Sequence, residues 1–353
     1  MERDLVGYAD TPPIVPWPDG ARLAVQVSVS YEEGAEYSLL DGPRRETMGE
    51  VPSPVPPDRR DLFNESFFEY GSRVGVWRIL ETCRRAGVPA SWWACARALE
   101  RNPRVAQALV AAGHEICGHG YGWEEFHGAS REEERDNIRR TVESLVRTTG
   151  QRPVGWFTRY ACSPSTRELL AEEGGFLYDS LGLNDDLPYY VPVQGRPWLV
   201  VPYTFEVNDA RFWRGGLTSV GAFTEYMRAA FDRLYAEAQR VPRMMSIGLH
   251  CRIAGTPARS RAFVEFLEYA KRFPGVWFAR RVDIARWWQA SAPGAQIRAI
   301  AGITLFPISS MERMVVAWSM RDSWASSSRW PMPSSRRTRA KRSATSSGVP
   351  ATM

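Results

Sequence analysis

Three short stretches carry side chains suited to acid–base chemistry. The first is Tyr31-Glu32-Glu33-Gly34, which follows the apolar-rich run Ala24-Val25-Gln26-Val27-Ser28-Val29-Ser30. Two adjacent carboxylates repel, which raises the pKa of one toward the range of a general base, so Glu32 and Glu33 are both candidates. The second stretch is Gly113-His114-Glu115-Ile116-Cys117-Gly118-His119-Gly120-Tyr121-Gly122-Trp123. It holds two of the four histidines, and glycines at 118, 120 and 122 let the backbone approach a ligand closely. The third is Met244-Met245-Ser246-Ile247-Gly248-Leu249-His250-Cys251-Arg252, a strand-like run ending in His250. A glutamate pair alone reads as a solvated loop, and a lone histidine as a structural residue. Histidines at two separate strand ends, with carboxylates at a third, favour chemistry. A nucleophilic Cys–His pair is the rival, because Cys117 and Cys251 flank His119 and His250. Adjacent strand residues point to opposite faces, so Cys251 is expected to turn away from the side His250 faces. No phosphate-binding Gly-x-x-x-x-Gly-Lys or dinucleotide Gly-x-Gly-x-x-Gly follows a strand.

Short buried-type strands are predicted at 22–30, 88–94, 176–179, 198–204, 244–250 and 276–279, rich in Val, Ile, Leu and aromatics. Helices are predicted between them at 73–86, 103–112, 131–148, 166–173, 222–240 and 258–273. Ser130-x-x-Glu133 makes a capping box for the third, and Pro103 and Pro164 suit helix starts. This alternation predicts an α/β fold with a parallel sheet, whose function gathers at the carboxyl ends of the strands.

The chain has 353 residues, 44% hydrophobic and 24% charged, which excludes a collagen, a coiled coil or a largely disordered protein. No apolar run approaches the roughly 18–20 residues of a membrane span, so no membrane partner is expected. The charged start Met1-Glu2-Arg3-Asp4, with no apolar stretch behind it, is not expected to act as a secretory signal. Five scattered cysteines, an odd number without Cys-x-x-Cys, read as reduced thiols of a cytoplasmic protein. The net charge of +5 is a property of the tail: residues 291–353 hold eight Arg and one Lys against Glu312 and Asp322, so residues 1–290 are mildly acidic. No nucleic-acid partner follows for the body. The tail also holds 13 Ser and is expected to be disordered, which divides the chain into a 1–290 domain and a 291–353 extension. Of the 14 Trp, Trp92-Trp93 and Trp287-Trp288 sit in core-like patterns, whereas Trp123 and Trp156 lie in motif loops where they can wall a pocket.

Over residues 3–289 the sequence resembles the polysaccharide deacetylase superfamily, and within it the cofactor-independent allantoinases. The resemblance rests on Arg3–Tyr8, Tyr31–Gly34, Glu69–Arg78, Gly113–Trp123, Gln151–Trp156, Glu173–Ser180, Asp185–Tyr189, Pro202–Thr204, Asn208-Asp209 and Ser246–Arg252. It implies a distorted (β/α) barrel and, from close relatives, a homo-oligomer. The metal-dependent deacetylases carry an Asp-Asp pair and bind zinc or a similar metal through His-x-x-x-His; here the pair is Glu32-Glu33, and Trp123 stands four residues after His119. Trp offers no lone pair to a metal, so neither metal nor other cofactor is expected.

The resemblance implies a hydrolase of C–N bonds in cyclic amides, allantoin to allantoate, serving purine breakdown with a small ureide as substrate. Glu32 or Glu33 would activate water, His250 would protonate the leaving nitrogen, and His119 would hold or polarise the substrate. Arg159, near the family's third motif, joins Trp123, Trp156, Asn208, Asp209 and Arg252 as substrate-binding candidates, and Glu36 is a further one. The runner-up is a polysaccharide or peptidoglycan N-acetyl deacetylase using zinc. A third reading is a non-catalytic carbohydrate-binding protein, which retention of Glu32, Glu33, His119 and His250 together disfavours.

Overall fold

Side-chain alternation along the first strand, β1 (Leu23–Tyr31), sets the frame of the fold. Val25, Val27, Val29 and Tyr31 face a core shared with surrounding helices, whereas Ser28 and Ser30 face the interior of the curled sheet. Every residue of β1 is buried, as expected of a central parallel strand. The computed structural model describes residues 3–47, 53–214 and 216–292, all within one compact unit. The predicted tail lies outside the described residues from 293 onward.

Eight further strands are described: β2 (Ser91–Ala94), β3 (Glu115–Gly118), β4 (Gly155–Trp156), β5 (Tyr178–Asp179), β6 (Tyr189–Val193), β7 (Arg196–Val200), β8 (Arg243–His250) and β9 (Val276–Ala279). They run in the order β6-β7-β5-β4-β3-β2-β1-β8, parallel throughout except for the β6–β7 hairpin. One edge of β1 pairs with β8 along Leu23–Ser30. The other is shared: Leu23–Gln26 pair with β9, and Ser28–Tyr31 pair with β2. Opposite β1, a single bridge from Asn208 to Gly248 joins the segment after β7 to β8. The sheet is therefore a curled half-barrel, drawn together there by one bridge in place of a continuous ladder. Gly248 must be glycine for that bridge, because a Cβ would collide with the Tyr203 hydroxyl and Asn208 Nδ2.

Most predicted elements are present with shifted ends. The helix at Arg131–Thr149 has the expected reciprocal Ser130–Glu133 box and ends on Gly150 in the left-handed region. The predicted 73–86 helix is part of a longer run: a helix at Leu62–Tyr70, a π-turn at Gly71–Gly75, and a helix at Val76–Ala86. Strands β3, β4 and β6 lie outside the predicted strand ranges, although His119 was read as standing at a strand end. Two are short and glycine-containing, and Pro192 interrupts the third. Among the described residues no helix is long and apolar enough to cross a membrane.

Beneath the carboxyl ends of the strands, the interior is plugged by one arginine. Arg281 follows β9, is completely buried, and hydrogen-bonds to no acid among the described residues. Its guanidinium donates to the Ser28, Ser180 and Ser246 hydroxyls and to the carbonyls of Val201 and Pro202 at 2.8–3.1 Å. Burial lowers its pKa from the usual arginine value. Arg281→Met would fill similar space but strip these acceptors of a donor, and each buried polar group left unpaired costs about 1–3 kcal/mol. The expected result is a loss of about 3 kcal/mol, read as a lower urea midpoint at unchanged slope. An unchanged midpoint would show that the serines re-pair among themselves.

Candidate active site

The ends of β1, β3 and β8 bring three side chains together that lie far apart in sequence. Glu32 follows β1, His119 follows β3 and His250 ends β8, and all three line one cavity of about 610 Å³. The in-out alternation carries over from the strands: Ser28 and Ser30 face inward, and so does Glu32. Glu32 Oε1 lies 3.4 Å from His119 Nε2 and 3.8 Å from His250 Nε2, while its Oε2 accepts from Arg252 Nη1 at 2.6 Å. His119 Nδ1 donates to the Phe157 carbonyl at 3.2 Å, which sets the plane of that ring.

Asp209 fixes the other imidazole. Its Oδ1 lies 2.6 Å from His250 Nδ1, and its Oδ2 accepts from the backbone N–H of His250 at 2.7 Å and of Ala254 at 3.1 Å. Nδ1–H therefore points to the carboxylate, and Nε2 is left facing Glu32 and the cavity. The floor and walls are aromatic. Trp93 stacks on Phe157 with centroids 4.0 Å apart, and Tyr203 meets Trp93 edge-on at 4.7 Å. Trp123 lies under two cations, with Arg159 Cζ 3.7 Å and Arg252 Cζ 5.0 Å from its ring centroid.

The protonation states separate in opposite directions. Burial alone would raise Glu32, but Arg252, His250 and His119 outweigh it and hold the carboxyl well below the usual carboxylate range. Burial works against a charged His250, yet Asp209 and Glu32 raise its pKa above the ordinary histidine value. Oppositely displaced groups facing one another are the pattern of a base and an acid in a single site. Burial and the neighbouring Glu32 push Glu33 up to about 7, against the pull of Arg252.

The structure corrects three expectations. Glu33 does not reach the cavity: its oxygens accept from the backbone N–H of Glu32 and Arg252, and its side chain packs on Gly71 in the π-turn. Trp156 faces outward, in a cluster with Ile138, Val142, Leu169 and Leu170, because it sits one residue out of phase with the inward Phe157. Asp209 is buried behind His250 and does not line the cavity. Arg159, Trp123, Asn208 and Arg252 do line it. Glu36 instead accepts from the Gly34 N–H at 2.6 Å. Cys251 turns away into the helix-side core, where burial pushes its thiol pKa well above the usual value. Trp93, read from sequence as core, packs in a core cluster and also lines the cavity, and Phe157, Tyr203 and Thr158 line it without having been singled out from sequence. Period-two alternation from Ser28 and Ser30 was the available signal for Glu32 over Glu33.

The donor set is a poor match for a divalent cation. Among the described residues, no three His, Cys, Asp or Glu side chains converge as a metal site. Near Glu32, the guanidinium of Arg252 already supplies a positive charge, and the indole of Trp123 lacks a lone pair.

Residues 65–178 match the sequence profile of the polysaccharide deacetylase family. A Schizosaccharomyces pombe protein classed with the polysaccharide deacetylases is 39% identical over 319 residues, 82% of this chain and 98% of the relative. A crystal structure from Pseudomonas aeruginosa PAO1, described as a probable polysaccharide deacetylase, superposes with a TM-score of 0.79 at 44% identity, covering 83% of this chain and 99% of that one. The crystal structure of PuuE allantoinase gives the same TM-score, 0.79, at 46% identity, with 83% and 99% covered.

Proposed function

Because this chain belongs to the polysaccharide deacetylase family, hydrolysis is its class of reaction, and we propose that it opens the ring C–N bond of a small cyclic amide, allantoin, without a metal ion. The observation that carries the reading is the Glu32–Arg252 pair at 2.6 Å: a fixed guanidinium stands beside the base, where a metal-dependent enzyme would need a divalent cation.

Glu32, ionised, accepts a proton from a water molecule, and the water oxygen forms a bond to the ring carbonyl carbon. His250, protonated at Nε2, gives that proton to the ring nitrogen as the C–N bond breaks. A carboxylate with a depressed pKa is a weak base in isolation. Here the acid and the base change charge together, so an ion pair becomes a neutral pair and the relevant basicity belongs to the couple. Arg252 is placed to stabilise negative charge developing on the carbonyl oxygen, and the His119 ring is held rigid by Phe157. The volume of about 610 Å³ and the aromatic walls suit a flat ring.

The test is to dialyse the full chain exhaustively against a chelator, incubate it with allantoin and assay allantoate. Turnover is expected to stay within twofold of the undialysed protein. Loss of allantoin turnover, with release of acetate from N-acetylated sugars once zinc is restored, would replace the proposal with a metal-dependent deacetylase.

A further inference from the structure

The hydrogen bond made by one nitrogen of His119 decides what the other can do. Nδ1 lies 3.2 Å from the Phe157 carbonyl, which can only accept, so Nδ1 carries a hydrogen. Stacking keeps the ring from turning over. Its plane is inclined by 7° to the Phe157 ring, with centroids 5.5 Å apart, and Trp93 stacks at 6.4 Å. Nε2 is thereby aimed at Glu32 Oε1, 3.4 Å away, its partner among the described residues.

Glu32 is kept ionised chiefly by Arg252 and then by His250, and a carboxylate oxygen is an acceptor only. A second proton on His119 would let Nε2 donate to it, but at a cost in charge. Arg252 and protonated His250 already balance Glu32 and Asp209, so an imidazolium at 119 would be an unmatched charge in a buried site. With Nε2 bare, two acceptors face each other, and a donor with two protons satisfies both. Water is the smallest such donor, and one oxygen can lie about 2.8 Å from each of two acceptors 3.4 Å apart. Access points the same way. Both residues line the cavity, but the side chains of His119 and Glu32 are only 1% and 2% exposed, against 15% for His250. That is enough for contact with a water molecule and too little for contact with the face of a ring.

We infer that His119 is the second acceptor for the attacking water: Glu32 Oε1 takes one of its hydrogen bonds and His119 Nε2 the other, which turns the lone pairs of the water oxygen toward the cavity. The inference rests on the proposed reaction and changes the part of His119 in it, from holding or polarising the substrate to orienting the nucleophile. Glu32 removes one proton as the oxygen–carbon bond forms. The other proton stays on that oxygen, hydrogen-bonded to Nε2, so His119 neither gains nor loses one. A water held by a single acceptor is free to rotate about that bond, and a misplaced nucleophile costs on the order of 10²-fold in rate.

Nitrogen NMR of the full chain carrying isotope-labelled histidine, near neutral pH, reads the tautomer without any substrate. The expected spectrum gives His119 a protonated Nδ1 and a bare Nε2. Its signals are assigned by their loss in His119→Asn or, should that variant not fold, by elimination with His114→Asn, His127→Asn and His250→Asn. A proton on Nε2, alone or together with one on Nδ1, would overturn the inference. Kinetics on allantoin give the second reading. In His119→Asn the amide can still donate to the Phe157 carbonyl while nothing stands in place of Nε2, so kcat should fall about 10²-fold with KM kept within about threefold. A kcat within about threefold of the parent chain, or a KM that rises as much as kcat falls, would count equally against it. Should the parent chain not open allantoin at all, the proposed reaction falls by itself, and the spectrum alone decides whether Nε2 is an acceptor.

Discussion

Glu32→Gln is expected to lower kcat for ring opening by about 10²–10⁴-fold, the usual contribution of a positioned general base. Gln retains the size of Glu and can still accept from Arg252, so far-ultraviolet circular dichroism should be unchanged. The informative comparison is Glu33→Gln. Glu33 carries a second carboxylate one residue away, but its oxygens are taken by the backbone N–H groups of Glu32 and Arg252 and it does not line the cavity. Its loss should appear as lower thermal stability, with kcat kept within about tenfold, since one amide oxygen cannot replace two carboxylate acceptors. Equal damage to kcat from both substitutions would remove Glu32 from the role of base.

Asp209→Asn should be nearly as damaging, and for a different reason. An amide in place of the carboxylate can still accept from the His250 and Ala254 N–H groups through one oxygen, so the loop should stay in place. Its NH₂, however, would face His250 Nδ1 and favour the tautomer with the proton on Nε2 and none on Nδ1. The corresponding change in a serine-protease triad costs about 10⁴ in kcat, and a loss of about 10²–10⁴ is expected here. The pH profile gives an independent readout. Asp209 and Glu32 raise the His250 pKa against burial, so the acid form persists above the ordinary histidine range and activity falls as pH rises through that raised value. Neutralising Asp209 removes an attraction that favours imidazolium, so the alkaline limb must move to lower pH. A limb that stays in place would mean that another group, and not His250, donates the proton.

Sequence patterning carried the fold class and brought Glu32, His119, His250 and Arg252 to the correct strand ends, because inward-facing residues at strand termini share one mouth whatever the strand lengths. It failed where phase decides the outcome. Glu32 and Glu33 are equivalent in composition, but opposite in direction, and so are Trp156 and Phe157. A two-residue strand such as β4 is too short to show its own period, so its phase depends on its neighbours. Asp209 read as a ligand contact because nothing local reveals that its partner lies 41 residues later, across the bridge at Gly248. Arg281 gave no signal at all: an arginine after a strand reads as a solvated helix start, and only the ring of serine hydroxyls from several strands accounts for its burial.

The shared edge of β1 bears on how the chain is made. The first strand lies between β8 and the β9–β2 pair, so two of its three neighbours are synthesised more than two hundred residues after it. A ribosome adding about 5–20 residues per second exposes β1 for tens of seconds before β8 and β9 can cover it. During that interval an apolar strand with open edges is a target for aggregation and for chaperones. Glu32 meets His250 and Arg252 only when β8 arrives, so a nascent chain should carry no catalytic constellation until its last strands have left the exit tunnel.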